Sequence, residues 1–292
     1  MVIVNLMGGV GNQLFQYAAG RAIAHRKKVP FKLDLSWFKT QELRRYQLSH
    51  FNISAEIATQ AEVDRLKGFH LFGLRRKIFR LYQHFLPYYK RTVFRERFFH
   101  FDPNILRCLD QVYLVGFWQS EKYFEDISNL IRQEFLMVHN QDSQNQKTAN
   151  LINNTESVSI HVRRGDYVSN PKMSQLFATC GLDHYRKSVS IITKKVLNPH
   201  FYIFSDDTKW GERNLRLDHP TTYVKNNNDE KCYDDLHLMT LCKHHIIANS
   251  SFSWWAAWLS TNPRKLVIAP QKWFKNATHN TKDLIPQAWT LI

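Results

Sequence analysis

The chain has 292 residues, enough for one large domain or two modest ones. A hydrophobic content of 43% and an aromatic content of 14% exclude an intrinsically disordered protein. Lys and Arg number 40 against 25 Asp and Glu, a formal charge of +15; this points to an anionic partner (nucleic acid, a phosphorylated small molecule or an acidic membrane) and carries no information on fold.

Residues 2–6 read as a short buried strand, with neither the basic leader nor the cleavage site of a signal peptide. Nothing along the chain approaches the roughly 20 apolar residues of a membrane span. Residues 7–11 form a glycine-rich turn, and Asn12 is placed to cap a helix with Leu14, Tyr17, Ala18 and Ala22 on one face. A second strand at 29–33 completes a β-loop-α-β unit. Residues 67–97 carry nine Lys and Arg and a single acid, Glu96. Leu71, Leu74, Ile78, Leu81, Tyr82 and Phe85 recur there at helical spacing until Pro87. This stretch is either a solvated helix face or a peripheral contact with an anionic membrane; if the apolar stripe packs on the core, only the charges touch lipid. Residues 141–154, polar and rich in Asn and Gln, read as a linker between domains 1–150 and 151–292.

The second block predicts strands at 158–162, 201–204, 245–248 and 266–269, and helices at 185–196, 234–242 and from about 253. Three of these strands run into polar segments, and open α/β sheets bind ligands at the carboxyl ends of their strands. The first segment is Arg163-Arg164-Gly165-Asp166. Two adjacent guanidiniums suit a phosphate; a salt bridge to Asp166 is the plainer reading. The second is Ser205-Asp206-Asp207, read as a metal-binding pair, as acceptors for a guanine edge or ribose, or as a helix cap. With two arginines present, the nucleoside reading is favoured over the metal. The third is Asn249-Ser250-Ser251-Phe252-Ser253, which puts hydroxyls and free N–H groups at a helix start; Trp254, Trp255 and Trp258 serve the core. Gly9, Gly11 and Asp34 nearly match a dinucleotide fingerprint, but Leu14 occupies the third glycine position. Cys108, Cys180, Cys232 and Cys242 contain no CxxC pair, and Cys232 and Cys242 with His237, His244 and His245 fit zinc spacing poorly. Reduced thiols are expected.

Taken together, Met7-Gly-Gly-Val-Gly-Asn-Gln-Leu-Phe-Gln-Tyr17, His161-Val-Arg-Arg-Gly-Asp-Tyr167, Tyr202-Ile-Phe-Ser-Asp-Asp207 and Ser250-Ser-Phe-Ser-Trp-Trp255 resemble the bacterial α-1,2-fucosyltransferases of glycosyltransferase family 11, in the family's order over residues 1–270. The resemblance implies a GT-B fold of two Rossmann-like domains facing a cleft. The C-terminal domain would bind GDP-fucose; the N-terminal domain would serve a galactose-containing acceptor glycan, free or lipid-linked; the C-terminal end would pack back on the N-terminal domain. It implies inverting transfer of L-fucose from GDP-β-L-fucose to a 2-hydroxyl, with no cofactor, no metal and no nucleic acid. His161, Arg163 and Arg164 would hold the GDP with Ser251, Phe252 and Ser253, supported by Asn249 and Ser250. Ser205, Asp206 and Asp207 would meet the nucleoside. Gly9, Gly11, Asn12, Gln13 and Tyr167 would face the acceptor. Arg163 and Asn12 would be catalytic, and Asp166 is the first candidate for the base, ahead of Asp34 and Asp183. Animal relatives are membrane-anchored; a motif beginning near Met1 implies the anchor-free, prokaryotic form, expected to be cytoplasmic, with peripheral docking at the inner face of the inner membrane as the alternative left open by residues 67–97. Two rivals remain: an NAD(P) oxidoreductase built on Gly9, Gly11 and Asp34, and a non-catalytic polyanion binder.

Overall fold

The computed structural model describes residues 1–41, 43–138, 141–276 and 279–292. In chain order the elements are β1 (Val2–Asn5), α1 (Val10–Lys27), β2 (Phe31–Asp34), β3 (Glu56–Ile57), α2 (Gln60–Lys67), α3 (Gly73–Phe85), β4 (Val93–Arg95), β5 (Val112–Val115) and α4 (Ser128–Glu134). Then come α5 (Ser143–Asn153), β6 (Glu156–Val162), α6 (Gly165–Ser169), α7 (Pro171–Leu176), α8 (Leu182–Thr193), β7 (Pro199–Ser205), α9 (Thr208–Asn214), β8 (Thr221–Tyr223), α10 (Cys232–Leu241), β9 (His244–Ile246), α11 (Ser251–Leu259), β10 (Val267–Ala269) and β11 (Thr290–Leu291). They form two compact units. Unit 1 is Met1–Val138 with Asn280–Leu284, and unit 2 is His139–His279 with Ile285–Ile292.

Unit 1 holds a parallel sheet in the order β3-β2-β1-β5-β4. Its central strand β1 is fully apolar at Val2, Ile3 and Val4 because both faces are covered. Helix α1 packs beside it, and its Leu14, Ala18, Ala19 and Ala22 are all buried. The approach is close at Gly20, where a Cβ would fall 2.2 Å from Val4 Cγ2 and 2.7 Å from the Phe31 ring. The fingerprint's third glycine serves such helix–strand contact; here Gly20 supplies it further along the helix. Buried Glu134 ties α4 to α1, accepting from Tyr17 Oη at 2.8 Å and pairing with Arg21 Nε at 2.9 Å.

Unit 2 holds a second parallel sheet, β11-β10-β9-β6-β7-β8. Val158, Ile160 and Val162 of β6, Phe201 and Ile203 of β7, and Ile246 pack under Tyr185, Val189 and Ile192 of α8. The serine-rich helix α11 buries Trp254, Trp255 and Trp258, as expected from their apolar bulk.

One expectation is corrected. Residues 141–154 are not a linker, and the unit boundary falls at 138/139 instead of 150/151. The cause is α5: Asp142 caps it by accepting from Asn145 N at 2.9 Å. Its buried face is polar, with Asn145 bonded to Asn227 at 2.9 Å and Asn227 to Asp235 at 2.7 Å, so the usual apolar periodicity is missing. Burial pushes the Asp235 carboxyl up to about 6, against the amide of Asn227. The stripe on α3, for which packing on the core was one of the alternatives, is exposed at Leu74, Ile78, Leu81, Tyr82 and Phe85.

Candidate active site

The three polar segments of unit 2 follow β9, β6 and β7, which are neighbours in the sheet, so parallel pairing brings them together at one carboxyl edge. Arg163 is the centre of the cluster. Its Nη2 donates to Asp166 Oδ1 at 2.6 Å and its Nη1 meets Asp206 Oδ2 at 2.9 Å. Burial works against the guanidinium's charge, but Asp206 and Asp166 raise its pKa overall. Asp206 Oδ1 also accepts from the Arg164 backbone N–H at 2.8 Å. Gly165 is required by this contact: a Cβ there would stand 2.7 Å from Asp206 Oδ2. Arg164 lies over the Trp210 ring at 4.2 Å, with Nε 3.7 Å from Asp207 Oδ2.

Other predicted residues have structural tasks. Asp207 caps α9, accepting from Trp210 N at 3.0 Å, and Ser205 Oγ accepts from Asp207 N at 2.9 Å. Of the three readings of this pair, the cap is the one the geometry displays. Asn249 is fully buried and donates to the carbonyls of Ala178 and Trp273 at 2.5 and 2.8 Å. Ser253 Oγ turns back to the Ala248 and Ser250 carbonyls. Ser250 is the N-cap of α11 without a side-chain capping bond, so the first N–H groups of that helix are not capped by it. Ser251 and Phe252 are half-buried, and Phe252 leans on the His161 ring at 5.3 Å. His161 is buried; burial, reinforced by Arg163, pushes its pKa down to about 3, so it is neutral at physiological pH. Its Nδ1 meets no hydrogen-bonding partner among the described residues. It offers a ring and a polar nitrogen, not a positive charge.

Tyr167 does not fit the acceptor role given to it. Its ring is buried, stacked on Phe177 at 4.6 Å and 5°, and its hydroxyl donates to the Asn249 carbonyl at 3.1 Å. The Arg163 guanidinium carbon lies 5.5 Å from the ring centroid, so Tyr167 supports Arg163. Asp183 lies in the first turn of α8.

Unit 1 builds a different edge. The conformationally special glycine of the turn is Gly8, with φ +79°, and a Cβ there would sit 2.7 Å from Asn12 Nδ2. Helix α1 begins at Val10 with Gly9 as N-cap, so Asn12 is not the cap; its Oδ1 accepts from Gln119 Nε2 at 2.8 Å. Gly11 is buried within the helix. Gln13 is fully buried and structural: Nε2 donates to the Gly8 and Arg45 carbonyls, both at 2.9 Å, and Oε1 accepts from Gln47 N at 2.9 Å. Asp34 is held by Tyr113 Oη at 2.5 Å and Ser36 N at 2.8 Å, with Lys67 Nζ at 3.6 Å. Asp34 is thus engaged by its own unit, which gives the dinucleotide reading no support.

Sequence reasoning overlooked Glu96. It follows β4 and accepts from the N–H groups of Phe117 and Trp118 at 2.6 and 3.0 Å. Trp118 has φ +56°, a left-handed conformation uncommon for a bulky residue. Glu96 thus fixes the bend that carries Gln119 to Asn12. Burial pushes its carboxyl up to about 7, against those two N–H groups. Its isolation as the single acid among nine basic residues was the available signal.

Among the described residues no three His, Cys, Asp or Glu side chains gather as metal ligands, and all four cysteines are free thiols.

Two parallel α/β units with polar carboxyl edges define a GT-B-type protein. A solved structure of FUT1 from Arabidopsis thaliana in complex with GDP shares this fold, with a TM-score of 0.51 and 11% identity over 91% of this chain and 69% of that one. The chain belongs to Glycosyl transferase family 11, whose model matches residues 1–292, and it is a glycosyltransferase. It is 32% identical to the alpha-1,2-colitosyltransferase of Escherichia coli, covering 100% of this chain and 99% of that protein. It is 33% identical to the O-antigen biosynthesis glycosyltransferase WbnK of Escherichia coli, covering 97% and 98%. No helix among the described residues is long and apolar enough to cross a membrane.

Proposed function

We propose that the chain transfers L-fucose from GDP-β-L-fucose, with inversion and without a metal, to the 2-hydroxyl of a galactoside in a glycan. The observation that carries this reading is Arg163, presented at the end of the central strand and clamped between Asp166 and Asp206. A departing diphosphate gains negative charge as the glycosidic bond breaks, and preorganised donors must meet it. Arg163 and the first N–H groups of α11 are such donors.

The cluster as it stands holds two guanidiniums (Arg163, Arg164) against three carboxylates (Asp166, Asp206, Asp207). An incoming diphosphate competes with these carboxylates for Arg163. The Asp206 side chain is 14% exposed, whereas the Asp166 side chain is 30% exposed. Asp166 is the exchangeable partner. Displaced by the phosphate, its carboxylate is the group proposed to accept the proton of the attacking hydroxyl, which makes donor binding the step that arms the base. Asp206 and Asp207 are engaged by Arg163, the Arg164 N–H and the α9 cap, which favours metal-independent transfer.

The 1,2 linkage is supported by the name of the colitosyltransferase relative, and fucose and galactoside by the motif resemblance. A colitosyl donor is the second reading, favoured by that same relative. Incubation with each nucleotide sugar and a panel of galactosides, followed by linkage analysis, separates them; colitosyl transfer without fucosyl transfer would replace the donor. Transfer is expected to persist in EDTA, and loss of activity restored by Mn²⁺ would make Asp206-Asp207 a metal site.

A further inference from the structure

Helix α3 has two faces with different fates. Arg76, Phe79 and Gln83 attach it to unit 1: Arg76 lies over the Phe69 ring at 4.8 Å, and Gln83 Oε1 accepts from Thr92 N at 2.9 Å. Phe79 fills the space beside Gly68, where a Cβ would be 2.3 Å from its ring. At about 100° per residue, Leu74, Ile78, Leu81 and Phe85 fall on the opposite side of the helix. They are 71%, 58%, 58% and 77% exposed, and Tyr82 beside them is 60% exposed. No residue of α3 is buried.

The flanks of that stripe are uniformly basic. Lys77 and Arg80 lie on one side and Arg75 on the other, and residues 73–85 contain no acid. A polyanion in solution would use these charges and leave the apolar stripe in water. A second copy of the chain would cover the stripe at the expense of bringing two helices of like charge together. An anionic lipid surface meets both features at once, since the acyl boundary takes the stripe and the headgroups take the flanks. We propose that α3 is an interfacial helix that lays Leu74, Ile78, Leu81 and Phe85 into an anionic membrane surface, with Arg75, Lys77 and Arg80 at headgroup level. This is independent of which sugar the enzyme transfers.

The test is co-sedimentation of the full chain with vesicles of phosphatidylcholine alone and with added phosphatidylglycerol, at low and at about 0.5 M salt. The chain is expected on the anionic vesicles, with part of the binding surviving high salt. Ile78→Gln with Leu81→Gln should lower anionic partitioning at least about tenfold and abolish the salt-resistant part. Neutralising Arg75, Lys77 and Arg80 to Gln should remove the preference for anionic lipid. Unchanged circular dichroism and unchanged transfer to a soluble acceptor would show that both variants remain folded. Equal binding to both vesicle types would overturn the proposal, as would full retention of binding in the Ile78/Leu81 variant. So would a concentration-dependent dimer of the free protein that the same double substitution dissolves.

Discussion

At the carboxyl edge of its sheet, unit 2 gathers charge; at the corresponding edge of its own sheet, unit 1 gathers neutral amides. In unit 2 Arg163 is shared by Asp166 and Asp206. In unit 1 Asn12 is bonded to Gln119, and the nearby acid, Glu96, is pushed up to about 7 by burial. Both edges arise from the same parallel-strand geometry, so the topology supplies a place and leaves the chemistry to a few side chains. A guanidinium between carboxylates holds an anion by exchanging partners. An amide donates and accepts at once, which suits hydroxyl groups that are themselves both donors and acceptors.

The sharpest way to break this contrast is Arg163→Lys. Lysine keeps the charge but loses the planar fork that bridges two partners, and transfer should fall at least about 100-fold. Near-normal turnover would remove Arg163 from the centre of the site. Asn12→Ala comes next: transfer should fall about tenfold, with GDP affinity by calorimetry changing no more than a few-fold. A collapse of GDP affinity would place the glycine turn in the nucleotide site and erase the division of labour. The smallest expected effect concerns Glu96. Its folded-state pKa is raised to about 7 by burial, so its favourable contribution is present at low pH and is lost as pH rises through that value. Between about pH 5 and pH 8 the wild type should lose on the order of 2 kcal/mol more stability than Glu96→Gln. Urea midpoints across that range measure it, and parallel curves for the two proteins would show that Glu96 remains ionised.

The pairing of elements with chemistry was legible where a residue type has few uses. The Arg163-Arg164 pair, the serine start of α11 and the apolar strands β1, β6 and β7 could be placed from pattern alone. Asn12 and Gln13 could not, because an amide near a helix start reads equally as cap, ligand contact or scaffold. Only the fold shows Gln13 pinning Gly8, Arg45 and Gln47 while Asn12 turns to Gln119. Helix α5 was hidden because its buried face is made of Asn145 and Thr148 as well as Ile152. Strands β3, β8 and β11 span two or three residues, too few for alternation to register. Tyr167 was misread since a tyrosine beside a charged motif looks like a ligand contact, and its stacking on Phe177 depends on a residue ten positions away in another helix–loop segment.

The discontinuity of unit 1 has a consequence for how the chain is made. Asp283 accepts from the Phe101 backbone N–H at 3.1 Å and from Lys122 Nζ at 2.6 Å, across sequence separations of 182 and 161 residues. A ribosome emits the chain from its N-terminus, and domains tend to fold as they emerge. Unit 1 can assemble its sheet early, but the groups that meet Asp283 wait until unit 2's residues 139–279 have been made. Unit 2 likewise gains its edge strand β11 only from residues 290–291. Both units are therefore completed by one short stretch, residues 280–291, and removing it would leave each of them with an open seam.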